Sequence, residues 1–203
     1  MSFDDQGFLS DDIRHSRQDL HQRYSPYFDL IYRVNTFCQR TKYALEIHTR
    51  DGQEIVAAAL MITLLNDMQA AVLLLERGLL SQAHTLIRAG VETFFLVANV
   101  CQDAEFFRAF IRADQRTRRT ILHALRQDPS VMFEDIRPHI TPEVLDQLTK
   151  DIAQEGIGDI KAQDLARRAN LIPFYNGMYR VFSQDVHTSI RVVERYCTFD
   201  QHG

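Results

Sequence analysis

The sequence predicts an all-α protein, a single-domain up-and-down bundle of about six to eight helices. Three observations lead there. Glycine and proline number only eight and five in 203 residues, so few breakers interrupt the chain. Apolar residues recur at three- and four-residue spacing over long runs. No Asn-Gly or Asp-Gly turn separates alternating segments, because Asp51-Gly52 precedes a long helical run instead. Composition agrees: 45% hydrophobic and 25% charged residues suit one domain over residues 1–203 with a substantial core.

Residues 1–10 read as a disordered tail. Ser10 then caps a first helix from Asp11 to about Tyr24, with Asp11 and Asp12 favourable in its first turn. Ser25-Pro26 breaks it, and a second helix runs to about His48, expected to bury Phe28, Ile31, Tyr32, Val34 and Phe37. After a turn at 49–52, a third helix covers about Gln53 to Arg77, and Gly78 ends it in the left-handed conformation. A fourth runs from Leu80 to about Cys101. These two are apolar nearly all round and form the central hairpin.

The fifth helix, about Asp103 to Leu125, turns Phe106, Phe107, Phe110 and Ile111 inward and carries Arg108, Arg112, Arg116, Arg118 and Arg119 outside. That arginine run reads as a solvated amphipathic face. Residues 128–140, with Pro129 and Pro138, form a loop. "TPEVLDQLTKDIAQEG" is a short helix with Pro142 at its first position, "KAQDLARRANL" is another, and Pro173 opens the last, which reaches about Tyr196.

The segment "IVAAALMITLLNDMQAAVLLL" has the length of a membrane span. Asn66, Asp67 and Gln69 sit at its middle, however, where an ionised carboxylate is costly in hydrocarbon. The expectation is a buried helix of a cytoplasmic protein with no membrane partner. The acidic N-terminus shows no secretory signal. Cys38, Cys101 and Cys197 are odd in number and widely spaced, which predicts reduced, mostly buried thiols. A net charge of −4 argues against a duplex-DNA-wrapping protein.

Polar residues inside apolar helices are the functional candidates. His84, Arg88 and Glu92 recur every four residues on the fourth helix. Arg180, Ser183 and His187 form a second stripe on the last, with Arg191 one turn further on. If the stripes face each other, Glu92 can accept a hydrogen bond from Arg180 or His187. Such a cluster has three uses: a satisfied network fixing helix register, a ribonuclease site with His187 moving a proton and Arg180 holding phosphate, or a pocket for a small ligand. His84, Glu92, His187 and Asp67 suggest a metal site, but neither HExxH nor paired Glu-x-x-His is present, so no metal or cofactor is expected.

"ERGLLSQAHTLIRAGVETFFLVANV" and "LARRANLIPFYNGMYRVFSQDVHTSI" together resemble a bacterial helical family catalogued only as a domain of unknown function. The shared features fall on Gly78, Leu79, Ala83, Arg88, Glu92, Tyr175, Tyr179, Ser183, Val186 and His187, and the resemblance implies the helical fold. More distantly, Arg180 and His187, six residues intervening, are similar to the motif of the HEPN superfamily of helical nucleases and nucleotide-binding proteins. That likeness implies metal-independent RNA cleavage or nucleotide binding, with Arg180 and His187 catalytic and two copies meeting across a homodimer. Arg88, Glu92, Tyr179 and Ser183 are the expected binding residues. The alternative is a non-catalytic ligand- or partner-binding bundle in which the Arg/Glu/His network is structural. Self-association is expected on either reading, since residues 53–101 carry more apolar surface than one small bundle covers.

Overall fold

A computed structural model describes residues 2–154 and 160–186, without the side chains of residues 15 and 16. His187, Arg191 and Cys197 lie outside the described residues. Among those described, the regular structure is helical throughout, as an all-α bundle requires.

A short helix α1 (Phe3–Gln6) and a 3-10 turn (Gly7–Leu9) lead to α2 (Ile13–Arg23) and α3 (Ser25–Ala44). The long pair α4 (Gly52–Glu76) and α5 (Leu80–Gln102) follows, then α6 (Ala104–Gln127). Two 3-10 turns, Val131–Phe133 and Arg137–His139, punctuate the expected loop before α7 (Pro142–Gln154) and α8 (Ala162–Arg168). A one-turn α9 (Ile172–Phe174) continues through a π-helical turn (Tyr175–Tyr179) into α10 (Arg180–Val186).

The boundaries follow from local chemistry. Asp51 accepts from the backbone N–H of Gln53 and Glu54 and starts α4. Gly78, at φ +77°, lets the chain reverse into α5, while Leu79 N–H returns to Leu74 O at 2.9 Å. Asp103 accepts from Glu105 and Phe106 N–H, so α6 begins directly where α5 ends. The core surrounds the C-terminal half of α5: Val91, Phe95 and Val100 are buried against Phe106 of α6 and Leu165 and Ala166 of α8.

Four expectations change. Residues 3–9 are ordered rather than a tail: Ser2 and Asp5 form a capping box, Phe3 packs edge-on to Phe8 at 5.4 Å, and Arg77 donates to the Phe8 carbonyl at 2.9 Å. On α3 only Phe28 is buried; Tyr32, Val34 and Phe37 are exposed, because this helix packs mainly on α2 and α4 and its outer side has no cover. The central hairpin of α4 and α5 is present, but α4 is not enclosed. Ile55, Ile62 and Leu73 are exposed, and just four of its residues are buried. By length and composition alone α4 is the one helix among the described residues that meets the criteria for a membrane span. Cys101 is likewise exposed, not buried, and both it and Cys38 are free thiols.

Gly90 brings the two long helices together, since a Cβ there would lie 3.5 Å from Leu64 and 3.7 Å from Asp67. Asp67 is partly buried at this approach, with no hydrogen-bond or ionic partner among the described residues, and burial pushes its carboxyl above the ordinary range. A carboxyl raised in the folded state opposes folding once the pH passes the unfolded value of about 3.9. Asp67→Asn is therefore expected to raise the melting temperature at pH 7, with the gain vanishing near pH 3. Calorimetry at the two pH values checks this, and an unchanged or lower melting temperature at pH 7 refutes it.

Candidate functional site

The stripe on α5 does face the last helix. Three pairings, His84 with Asp185, Arg88 with Tyr179 and Phe94 with Phe174, show that the two segments run antiparallel. The π-helical turn places the rings of Tyr175 and Tyr179 in a stack with centroids 5.2 Å apart, over the C-terminal half of α5. π-Turns often occur at functional sites. Here the turn sets two phenols side by side on the α5 face.

Arg88 is the centre of the seam. Its Nη2 donates to the Tyr179 hydroxyl at 2.5 Å and pairs with Glu92 at 3.1 Å, and its guanidinium carbon lies 4.6 Å from the Tyr179 ring centroid. The remaining Nε–H is buried without a partner among the described residues. Burial, joined by the charge of Glu92, pushes the Tyr179 hydroxyl up and outweighs the opposing pull of Arg88. Tyr179 therefore stays a protonated phenol at neutral pH. One turn away along α5, His84 Nδ1 meets Asp185 Oδ2 at 2.7 Å, and the imidazole lies 4.6 Å from the Phe182 ring. The Asp185 side chain is 3% exposed. This pair orients the ring as well as joining the helices.

Of the residues expected here, Arg88, Glu92 and Tyr179 come together. Ser183 is on the same helix, but its hydroxyl donates to its own backbone at Tyr179 O, 2.6 Å away. Arg180 is exposed and takes no part in the cluster. The cation beside Glu92 is Arg88, four residues earlier on α5. The reason is rotational: Tyr179 and Phe182 turn inward, which carries Arg180 to the outside. His187, the other expected catalytic residue, lies outside the described residues. Glu92 also borders an open groove of 760 Å³ between α5, α6 and α8, floored by Leu96, Phe110 and Leu165.

Two contributors were missed in the sequence. Asp185 was legible only as an acid on a helix whose other inward residues are apolar. Glu76 is the second. Its side chain is 4% exposed, and it accepts from the Tyr32 hydroxyl at 2.6 Å, meets His21 Nε2 at 2.8 Å and pairs with Arg17 at 2.8 Å. His21 stacks on Phe28 with centroids 4.1 Å apart. Burial alone would raise the Glu76 carboxyl, but the bonds from Tyr32 and His21 and the charge of Arg17 together hold it below the usual carboxylate range. This knot ties α2 and α3 to the end of α4. No cluster of three or more His, Cys, Asp or Glu side chains able to hold a metal occurs among the described residues.

Residues 54–203 match DUF5677, a family of unknown function, and the chain belongs to that family. The matched span takes in nearly all of α4 and everything after it, and leaves α1 to α3 outside. No curated protein and no solved structure matches the chain.

Two substitutions measure the clusters. Tyr179→Phe removes the acceptor of a charged hydrogen bond while keeping the ring, and a loss of about 1.5–3 kcal/mol is expected in urea unfolding. A change within about 0.5 kcal/mol would mean that Arg88 does not lock the last helix. Glu76→Gln is expected to cost about 1–3 kcal/mol at pH 7. Because the folded carboxyl is depressed, its stabilisation is complete above the unfolded value of about 4.3 and fades as pH falls through the folded one. The wild-type advantage should thus shrink towards pH 3. An advantage independent of pH would show that the Glu76 charge contributes nothing.

Proposed function

We propose that this protein is a partner-binding helical bundle in which the polar seam between α5 and α10 holds the last helix in place and performs no chemistry. One observation carries the reading. On α3, Tyr27, Leu30, Val34 and Phe37 recur at spacings of three, four and three, and each is between 42% and 69% exposed. That is the apolar stripe of a helix that packs against another helix. Exposed apolar patches of this kind on a folded chain mark interaction surfaces. The neighbouring α4 adds exposed Ile55, Ile62 and Leu73. A second copy, meeting it through an isologous interface, is the proposed partner. The seam supports the non-catalytic half of the reading, since His84 is spent on Asp185 and Arg88 on Tyr179 and Glu92.

A second reading is a HEPN-like metal-independent ribonuclease or nucleotide-binding protein. Its supporting observation is Arg180, which is exposed on α10 with no side-chain partner among the described residues, and so is open to a phosphate. That reading needs His187 as well, and it too needs two copies.

Light scattering together with an RNA digest separates them. Wild type is expected to be a dimer at micromolar concentration, Phe37→Glu a monomer with an unchanged circular dichroism spectrum, and neither should cut mixed RNA in EDTA. A monomeric wild type overturns self-association. Cleavage in EDTA that drops on the order of 10²–10⁴-fold in His187→Ala, at unchanged melting temperature, overturns the non-catalytic reading and establishes the ribonuclease.

A further inference from the structure

An open pocket of 310 Å³ lies where α2, α3 and α4 meet, built by other elements than the α5–α10 seam. Its size falls at the lower end of small-molecule sites. Ile31 of α3 and Met68, Val72 and Leu73 of α4 make its apolar walls. One end carries a pair of carboxamides, with Gln69 Nε2 donating to Asn35 Oδ1 at 2.8 Å. That single bond uses half of each amide. The Asn35 NH2 and the Gln69 carbonyl oxygen have no other partner among the described residues, and both residues line the cavity. Reversing both amides would exchange the donor residue and leave the same set, one donor and one acceptor.

The opposite end carries Arg17 and Glu76, and the carboxylate there is already engaged by Arg17, His21 and Tyr32. A cation finds no free carboxylate at that end, and any charged group seated at the amide end would lose its water against Val72 and Met68 without compensation. A neutral molecule is what fits: apolar enough in its faces for the walls, with an adjacent N–H and C=O on one edge to complete the two amides.

We infer that this cavity binds a small, neutral, planar compound presenting a cyclic-amide edge, the N–H/C=O pair of a lactam or an oxo-nucleobase. The Asn35–Gln69 pair reads the edge and the Ile31–Met68–Val72 wall covers the ring. Asn35 and Ile31 belong to α3, outside the residues matched to the family, whereas Gln69, Met68 and Val72 lie inside them.

The test is calorimetric titration of the full chain with uracil, hypoxanthine and 1,3-dimethyluracil. The last keeps the ring and carbonyls but has no N–H to give. Saturable binding of uracil or hypoxanthine is expected, with 1,3-dimethyluracil weaker by at least about tenfold, because a site built around a hydrogen bond rejects the analogue lacking it. Gln69→Leu should weaken binding by at least about tenfold. Val72→Phe, which fills the cavity with an apolar ring, should abolish it, and this variant serves if Gln69→Leu does not fold. No binding of either lactam, equal binding of the dimethyl compound, or wild-type affinity in a folded variant overturns the assignment. The wild-type comparison decides the matter even if neither variant folds.

Discussion

A single buried amide fixes where most of the molecule goes. Asn99, 4% exposed, donates from Nδ2 to the carbonyls of Phe95, in its own helix, and Leu165, in α8, at 2.8 and 2.9 Å. Its oxygen accepts from Arg168 Nε at 3.3 Å, and Arg168 Nη2 goes on to Asp103, the N-cap of α6, at 2.5 Å. One side chain thus binds α5 to α8 and, through Arg168, both to the start of α6. A buried amide left without these partners costs more than its bonds contribute, about 1–3 kcal/mol, so the observed seat of α8 is favoured over those that leave Asn99 unpaired. Position and direction of α8 then dictate the rest. Ala169 to Leu171 allow only a short turn, with Asn170 at φ +58°, and the chain must return along α5.

What that return brings to α5 is aromatic. Phe174, Tyr175, Tyr179 and Phe182 lie along the helix, and they bury far more apolar area than Ser183 or Arg180 would. Polar groups on α5 must then find partners on that aromatic face, and they do: a phenol for Arg88, a buried carboxylate for His84. Each pair crosses between helices, so each specifies axial register where apolar contacts alone would let the helices slide. This is why charges persist in so apolar a helix. The Arg88–Glu92 pair, by contrast, stays partly exposed and adds little on its own.

The fold was legible because its determinants are local. Scarce glycine and proline, the Ser25-Pro26 break and the Gly78 reversal each act within a turn of their own position, and the structure keeps all of them. The α5 stripe was legible for the same reason, being a four-residue repeat. Its partner was not. A helical wheel of the last segment offers two stripes, Arg180–Ser183–His187 and Tyr175–Tyr179–Phe182, and periodicity treats them alike; relative burial of area decides, and that is a property of two helices rather than one. Glu76 was illegible on similar grounds. It ends an apolar helix beside Arg77, as a solvated cap would, and only the approach of Arg17, His21 and Tyr32 makes it a buried carboxylate. The burial predicted for Val34 and Phe37 failed because apolar spacing reports that a face is to be covered, without saying that this chain covers it.

That last failure separates two layers of the molecule. Among the described residues, the buried core gathers around α5, α6 and α8. The α2–α3 pair is attached differently, through one satisfied carboxylate at the end of α4 and the Gln69–Asn35 bond further along, with a cavity between the two attachments. Polar attachment of this kind is selective but weak per unit area, since each bond only exchanges water for protein. It leaves α4 apolar on a side that nothing in the described chain covers, while Asp67 adds an unpartnered carboxylate that burial has already disfavoured. A helix pair held by few polar contacts beside an uncovered apolar face has apolar area that a further partner could still bury, which a closed core does not. On the proposed reading it is therefore the N-terminal layer that meets a partner, and the seam on α5 is the frame against which that layer sits.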